Sequence, residues 1–148
     1  MIRPTNQTGF SLLEALVVVA IIAIIALIGV PVYLNLQPQL KLQAAARSLA
    51  ADLRLAQEAA VTEQINYLVA FNTNENSYSL VNSQTGVSVK KIYLDKQVKI
   101  SSVAGLSNNQ AVFNSSGALS YGGTVILQNS NNQQKTITLQ PSGYVQIN

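Results

Sequence analysis

The sequence predicts an α+β fold in which one long N-terminal α-helix packs on an antiparallel β-sheet domain. Two observations lead to this expectation. An unbroken apolar stretch near the N-terminus is followed directly by an amphipathic helical pattern. From Ile65 onward, short alternating runs of β-branched residues are separated by turns rich in Asn, Ser and Gly. Because the chain has 148 residues and no Cys, its fold must be stabilised by one core without disulfides.

The N-terminal third is a candidate membrane helix. Every residue from Ala15 to Val30 is Ala, Val, Ile, Leu or Gly, and no charge lies between Glu14 and Lys41. At about 1.5 Å per residue, the segment from Phe10 to Val30 spans roughly 30 Å, the thickness of a bilayer's hydrocarbon core. A protein this small could hardly enclose a helix that is apolar on every side. A secretory signal, the alternative, would need a small-residue cleavage site just after the stretch, and none lies there.

The pattern becomes amphipathic after Pro38. Apolar residues recur at helical increments at Leu42, Ala46, Leu49, Leu53, Ala56 and Ala60. The opposite faces carry Lys41, Arg47, Asp52, Arg54, Glu58 and Glu63. One helix from Ser11 to Thr62 would be about 75–80 Å long, so lipid or other subunits must cover its apolar half.

Short strands are predicted throughout the remaining two thirds of the chain, and we expect them to form antiparallel sheets against the amphipathic helix. The strands are predicted at Asn66–Phe71, Ser77–Val81, Val87–Leu94, Val98–Val103, Ala111–Asn114, Thr124–Gln128, Lys135–Gln140 and Tyr144–Ile147.

The residues before the apolar stretch form a recognisable signal. Residues 1–9 are a polar leader with one basic residue, Arg3, and Gly9 is followed by Phe10-Ser-Leu-Leu-Glu14, with Pro31 twenty-one residues after Phe10. This pattern strongly resembles the class III signal of type IV pilins and type II secretion pseudopilins. The resemblance implies that a prepilin peptidase cuts between Gly9 and Phe10 and methylates the new amine of Phe10. It also implies a single-pass inner-membrane protein with a periplasmic or extracellular ectodomain, which an assembly platform moves into a filament.

Two features of the apolar helix bear on assembly. A carboxylate such as Glu14 costs several kcal/mol in an apolar membrane helix unless it is paired, although snorkelling to the interface is an alternative. The resemblance implies that Glu14 pairs with the amine of Phe10 in a neighbouring subunit. Pro31 lacks an N–H and Gly29 adds freedom, so this segment is expected to kink or to melt in a filament, as it often does in the family.

The C-terminal half carries a second resemblance. An aromatic strand ending at Gly117, a middle strand from Thr124, and a last strand hairpin through Gly143 are similar to the ending of GspH/FimT-type minor pilins and pseudopilins. The implied organisation is a leader at 1–9, a hydrophobic transmembrane and assembly helix at 10–40, and an ectodomain at 41–148. Within the ectodomain we expect an amphipathic helix at 41–64 and β-sheets at 65–148.

The side chains available argue against enzymatic chemistry. His and Cys are absent from the sequence, so the commonest general base and the usual zinc ligands are missing. We therefore predict no enzyme activity, cofactor or metal site. Glu75 and Asp95 are interpreted as isolated, solvated carboxylates, and Ser115 to Gly117 as a turn.

Charge argues against nucleic-acid binding. The net charge is only +3, and no charged residue follows Lys135. A small basic cluster at Lys90, Lys91, Lys96 and Lys99 is interpreted as a solvated strand pair. The predicted function is therefore structural: a GspH/FimT-like pseudopilin of type II secretion, or a minor pilin, that assembles with other pilins. A major pilin and a membrane-anchored binding subunit for DNA uptake or adhesion are the alternatives.

Overall fold

A computed structural model describes residues 10–148. The chain divides into two compact units, the first ending at Leu36 and the second spanning Gln37–Asn148. The second unit starts four residues before the predicted ectodomain boundary at residue 41.

Helix α1 spans Leu12–Glu63, within one residue of the predicted bounds at each end. Ser11 lies just before it, and the backbone carbonyl of Ser11 accepts the first helical hydrogen bond, from Ala15. After the helix, Gln64 adopts a left-handed conformation with φ of 56°. The side chain of Gln64 donates to the carbonyl of Val61 at 2.6 Å, which satisfies one acceptor of the final turn.

The predicted apolar stripe of the second unit is confirmed, with one correction. Its members Leu42, Ala46, Leu49, Leu53, Ala56 and Ala60 are all buried. Asp52, which the sequence placed on a polar face, is buried as well, with 5% of its surface exposed. Its neighbours in space satisfy the carboxylate, as described below.

Eight strands form two antiparallel sheets of four strands each. Their bounds are β1 Tyr67–Asn72, β2 Ser77–Asn82, β3 Ser88–Tyr93, β4 Val98–Ala104, β5 Gln110–Phe113, β6 Gly123–Asn129, β7 Gln134–Leu139 and β8 Val145–Ile147. The first sheet has the order β3-β2-β1-β5 and the second the order β4-β6-β7-β8. All eight predicted strands are therefore present, and the antiparallel pairing is confirmed.

The two sheets exchange strands along the chain. β4 follows β3 in sequence but pairs with β6 in the second sheet. β5 then returns to the first sheet, where Tyr67 of β1 lies opposite Phe113 of β5. Neither sheet can be completed from a continuous stretch of sequence.

One hydrophobic core joins the helix to both sheets. In-facing positions alternate along the strands, as in the buried residues Tyr67, Val69 and Phe71 of β1. The core also contains Leu49 and Leu53 of the helix together with β6 and β7 residues of the second sheet. The amphipathic helix of the second unit is therefore the common packing surface of the two sheets.

Asn76 ties the first sheet to the second. It lies in the turn between β1 and β2, and its side-chain Nδ2 donates to the carbonyl of Val98 at 2.6 Å. Its Oδ1 accepts from the backbone N–H of Ile100 at 2.9 Å. The Asn76 carboxamide thus occupies the position of a strand residue along the outer edge of β4, which reduces the open hydrogen-bonding surface of that edge.

The two C-terminal turns close on Gln57 of the helix. Gly117 and Gly143 both have positive φ, of 79° and 86°. The Gln57 side chain donates to the carbonyl of Gly117 at 2.8 Å. A Cβ on Gly143 would collide with this same carboxamide and with the Gly117 carbonyl, so only glycine fits there.

Candidate assembly site and ectodomain ion pairs

The start of the apolar helix is capped by its own sequence. Ser11 occupies the N-cap position, and its hydroxyl accepts a hydrogen bond from the backbone N–H of Glu14 at 3.2 Å. The string Ser11-Leu-Leu-Glu14 has the spacing of a capping box, in which an acid lies three residues after the capping hydroxyl. Sequence reasoning missed this role of Ser11, although the spacing alone indicates it. The carboxylate also lies in the first turn, where the helix dipole favours negative charge.

The apolar side chains of the first unit are exposed. Phe10 is 69% exposed and Ile25 is 65% exposed. All the large hydrophobic residues between them are exposed as well. By length and composition α1 is apolar enough to cross a membrane, and none of its most apolar window is buried. Another phase or another chain must therefore cover this surface.

The predicted assembly residues have defined positions, with one exception. Gly9 lies outside the described residues, so the structure describes only Phe10 of the two residues that flank the predicted cleavage position. Glu14 is exposed on the first helical turn. Gly29 and Pro31 are helical in this subunit, and nothing lies within 4 Å of the place that a Gly29 Cβ would take. Loosening of this segment stays a prediction about the assembled state.

The buried acid of the second unit lies at the centre of a hydrogen-bonded network. The Asp52 carboxylate accepts from the Tyr78 hydroxyl at 2.7 Å and from Lys90 Nζ at 2.6 Å. Burial, together with the hydrogen bond to Asp52, raises the pKa of Tyr78 well above its usual range. The network links α1 to β2 and β3 and compensates for the burial of the carboxylate.

Two further ion pairs account for the carboxylates that the sequence left isolated. Lys91 Nζ donates to Glu75 at 2.8 Å, and this contact lowers the pKa of Glu75. Lys41 lies 3.0 Å from Asp95. The pKa of Asp95 is lowered by the backbone N–H of Gln97 first and by Lys41 second. Each group in these two pairs is at least 39% exposed, so the pairs contribute little to stability.

The predicted basic cluster is divided by these pairs. Lys90 and Lys91 bind acids of their own chain, whereas Lys96 and Lys99 line a cavity of about 160 Å³ beside the β6–β7 turn. No group of three or more metal-binding side chains occurs among residues 10–148.

Comparison with known proteins decides the family. Residues 45–143 match the family model described as type II transport protein GspH. The chain belongs to the GspH family. Residues 4–30 match the prokaryotic N-terminal methylation motif, which covers most of the leader and the apolar stretch up to Val30. No curated protein sequence is significantly similar to the chain.

Solved structures share the fold of this GspH-family chain. The minor pseudopilin EpsH from the type 2 secretion system of Vibrio cholerae matches with a TM-score of 0.63 and 16% identity, over 73% of this chain and 96% of EpsH. The type IV minor pilin FimU of Pseudomonas aeruginosa matches with a TM-score of 0.61 and 16% identity, over 74% of this chain and 90% of FimU. The predicted pilin-like fold is therefore confirmed. The chain is a structural subunit of a pilus-like filament, of the type II secretion or minor-pilin kind.

Proposed function

We propose that this subunit is anchored in the inner membrane by its N-terminal helix and is cut by a prepilin peptidase between Gly9 and Phe10. The peptidase then methylates the amine of Phe10. An assembly platform moves the processed subunit into a filament with other pilins, and the ectodomain lies in the periplasm or outside the cell. Its role is structural rather than enzymatic. The match to the N-terminal methylation motif supports this sequence of events.

The observation that carries the proposal is the position of Glu14. It is the one acid in an exposed apolar surface, and it lies in the first turn, four residues after Phe10. An unpaired carboxylate in such a surface is costly once water is removed. The amine created on Phe10 by cleavage lies close to the same depth. In a staggered stack of helices, the amine of one subunit therefore meets the Glu14 of its neighbour.

Gly29 and Pro31 serve the same assembly step. Pro31 has no N–H to donate, so the turn before it lacks one helical hydrogen bond. Among residues 10–148, nothing lies within 4 Å of the place that a Gly29 Cβ would take. We propose that the helix loosens here when subunits enter the filament.

Mass spectrometry of the chain's N-terminus tests the processing step. We expect protein from a host with a prepilin peptidase to begin at a methylated Phe10, and the variant Gly9→Val to keep Met1. Gly29→Val is a matched control, because it makes the same change beyond the cleavage position and should be processed normally. An intact Met1 in the wild-type protein, or a cut elsewhere, contradicts the proposal.

A further inference from the structure

The outer face of the first sheet forms a trough. Side chains alternate along β2, so Tyr78 faces the core and Ser79 faces outward. Ser79 lies opposite Ala70 of β1 and opposite Lys91 of β3, and Ala70 lies opposite Gln110 of β5. Small side chains therefore form the floor and longer ones form both sides. The open cavity above this floor measures about 520 Å³.

Carboxamides surround this floor. The turn after β1 contributes Asn74, and the segment before β5 contributes Asn108 and Asn109. Asn108 and Asn109 both have left-handed conformations, with φ of 52° and 55°, which a carboxamide residue adopts more readily than most others. Asn74, Asn108 and Asn109 are exposed, and among residues 10–148 their side chains have no hydrogen-bond partner. Their donors and acceptors are free for a ligand.

The residues that line the trough present no unpaired charge. Lys91, its only cation, lies 2.8 Å from Glu75 and 5.0 Å from the centre of the Tyr93 ring. Nucleic acids require unpaired cations for binding, and this surface presents none. A docked peptide side chain is held in an apolar anchor pocket, whereas the floor of the trough consists of Ala70 and serine hydroxyls.

We propose that this trough binds a neutral, hydroxyl-rich ligand, namely a glycan chain. Carboxamides and hydroxyls both donate and accept hydrogen bonds, which matches the paired donor and acceptor character of sugar hydroxyls. The cavity has the volume of a small-ligand site. This activity is separate from filament assembly and does not depend on the processing of Phe10.

Calorimetric titration of the full chain in detergent micelles tests the proposal, with maltotriose and tri-N-acetylchitotriose as probes. Asn109→Gly removes the carboxamide while keeping the positive φ, so folding should be unaffected. We expect it to weaken binding of at least one probe about tenfold, the effect of losing one or two good hydrogen bonds. Asn132→Gly is the matched control, since Asn132 also has a positive φ, of 60°, but lies in the β6–β7 turn away from the trough. It should bind like the wild type.

Three results would overturn the proposal. The first is no binding of either sugar at millimolar concentration. The second is equal weakening by Asn109→Gly and Asn132→Gly. In the third, neither sugar binds but a single-stranded DNA oligonucleotide does. High salt and the variant Lys91→Gln both abolish this DNA binding. That last result would identify an electrostatic surface instead. Thermal unfolding of each variant separates loss of the site from loss of the fold.

Discussion

The side chain of Gln57 joins the helix to both C-terminal turns, because it donates to the carbonyl of Gly117 and fills the place that a Cβ on Gly143 would take. These two glycines were interpreted as ordinary turn residues of a strand-rich ending. Their conformation and their contacts with Gln57 give them a packing role as well. The carboxamide fills a space that any side chain at residue 143 would also need.

We therefore expect Gly143→Ala to destabilise the ectodomain by about 2 kcal/mol or more, through a strained positive φ and the collision with Gln57. Gly86→Ala is the control, because Gly86 has a φ of 68° but nothing within 4 Å of a Cβ. It should lose only about 1–2 kcal/mol. Chemical denaturation of both variants measures the difference, and equal losses would show that the collision is relieved without cost.

Two neighbouring lysines should differ in their effect on stability. Lys90 pairs with a carboxylate whose side chain is 7% exposed, whereas Lys91 pairs with one that is 50% exposed. Lys90→Ala leaves Asp52 buried with fewer donors, and because Lys90 itself is half exposed we expect a loss of about 1–2 kcal/mol. Lys91→Ala should cost about 0.5 kcal/mol or less. Denaturant titrations measure the free energy of unfolding of both variants. Equal losses for Lys90→Ala and Lys91→Ala would mean that water replaces the Lys90 ammonium as a donor to Asp52.

Alkaline pH should destabilise the ectodomain through Tyr78. The pKa of Tyr78 is raised above its ordinary value of 10.0 by burial and by the Asp52 carboxylate. The neutral phenol is therefore favoured in the folded state, so the stabilisation is complete below about pH 10 and falls as the pH rises further. Tyr67 and the exposed Lys91 have raised pKa values too, and their contributions have the same sign.

The near-ultraviolet absorbance of tyrosinate checks this expectation. The buried Tyr78 should resist ionisation until the domain unfolds, and Tyr78→Phe should remove that late step. A wild-type titration in which all tyrosines ionise together near pH 10 would contradict it.

Glu14→Ala should be inserted and processed but incorporated poorly into filaments. Removing the acid leaves the neighbouring amine of Phe10 buried without a partner, a loss of about 3–5 kcal/mol for a buried pair. Before assembly, both groups can reach the membrane interface. Ser11→Ala is the control, since it removes the helix cap, worth about 1 kcal/mol, and keeps the acid. Immunoblots of sheared filaments measure incorporation, and a wild-type level for Glu14→Ala would show that Glu14 only snorkels to the membrane interface.

A fragment of residues 37–148 should be folded, soluble and poor at binding DNA. It contains every residue of the hydrophobic core, which begins at Leu42. Three of its lysines, Lys41, Lys90 and Lys91, already pair with acids of the same chain. Circular dichroism and filter retention of labelled DNA test both points. Tight, salt-sensitive retention would favour a DNA-uptake subunit.

Local sequence patterns predicted the elements of this fold well. The helix bounds, all eight strands and the buried stripe from Leu42 to Ala60 follow from periodicity and turn residues, which act over a few neighbouring positions. The capping of α1 by Ser11 depends on an equally local pattern, the spacing from Ser11 to Glu14.

Long-range features could not be predicted in the same way. Asp52 falls on a polar helical face by periodicity, and only its approach to Tyr78 and Lys90 explains its burial. The side chain of Asn76 bonds to residues more than twenty positions away. The division into two sheets likewise depends on strand pairing across distant sequence, which no local pattern encodes. The trough on the first sheet follows from that pairing and was invisible for the same reason.

The exchange of strands between the sheets has a consequence for how the ectodomain is made. During vectorial synthesis, β4 emerges before its only strand partner, β6, and β1 must wait for β5 to complete the first sheet. The apolar stripe of the helix, from Leu42 to Ala60, therefore cannot pack against two complete sheets until most of the chain has left the ribosome or crossed the membrane. Folding must be largely post-translational, and the early apolar helix is committed to its destination while the domain behind it is still unfolded.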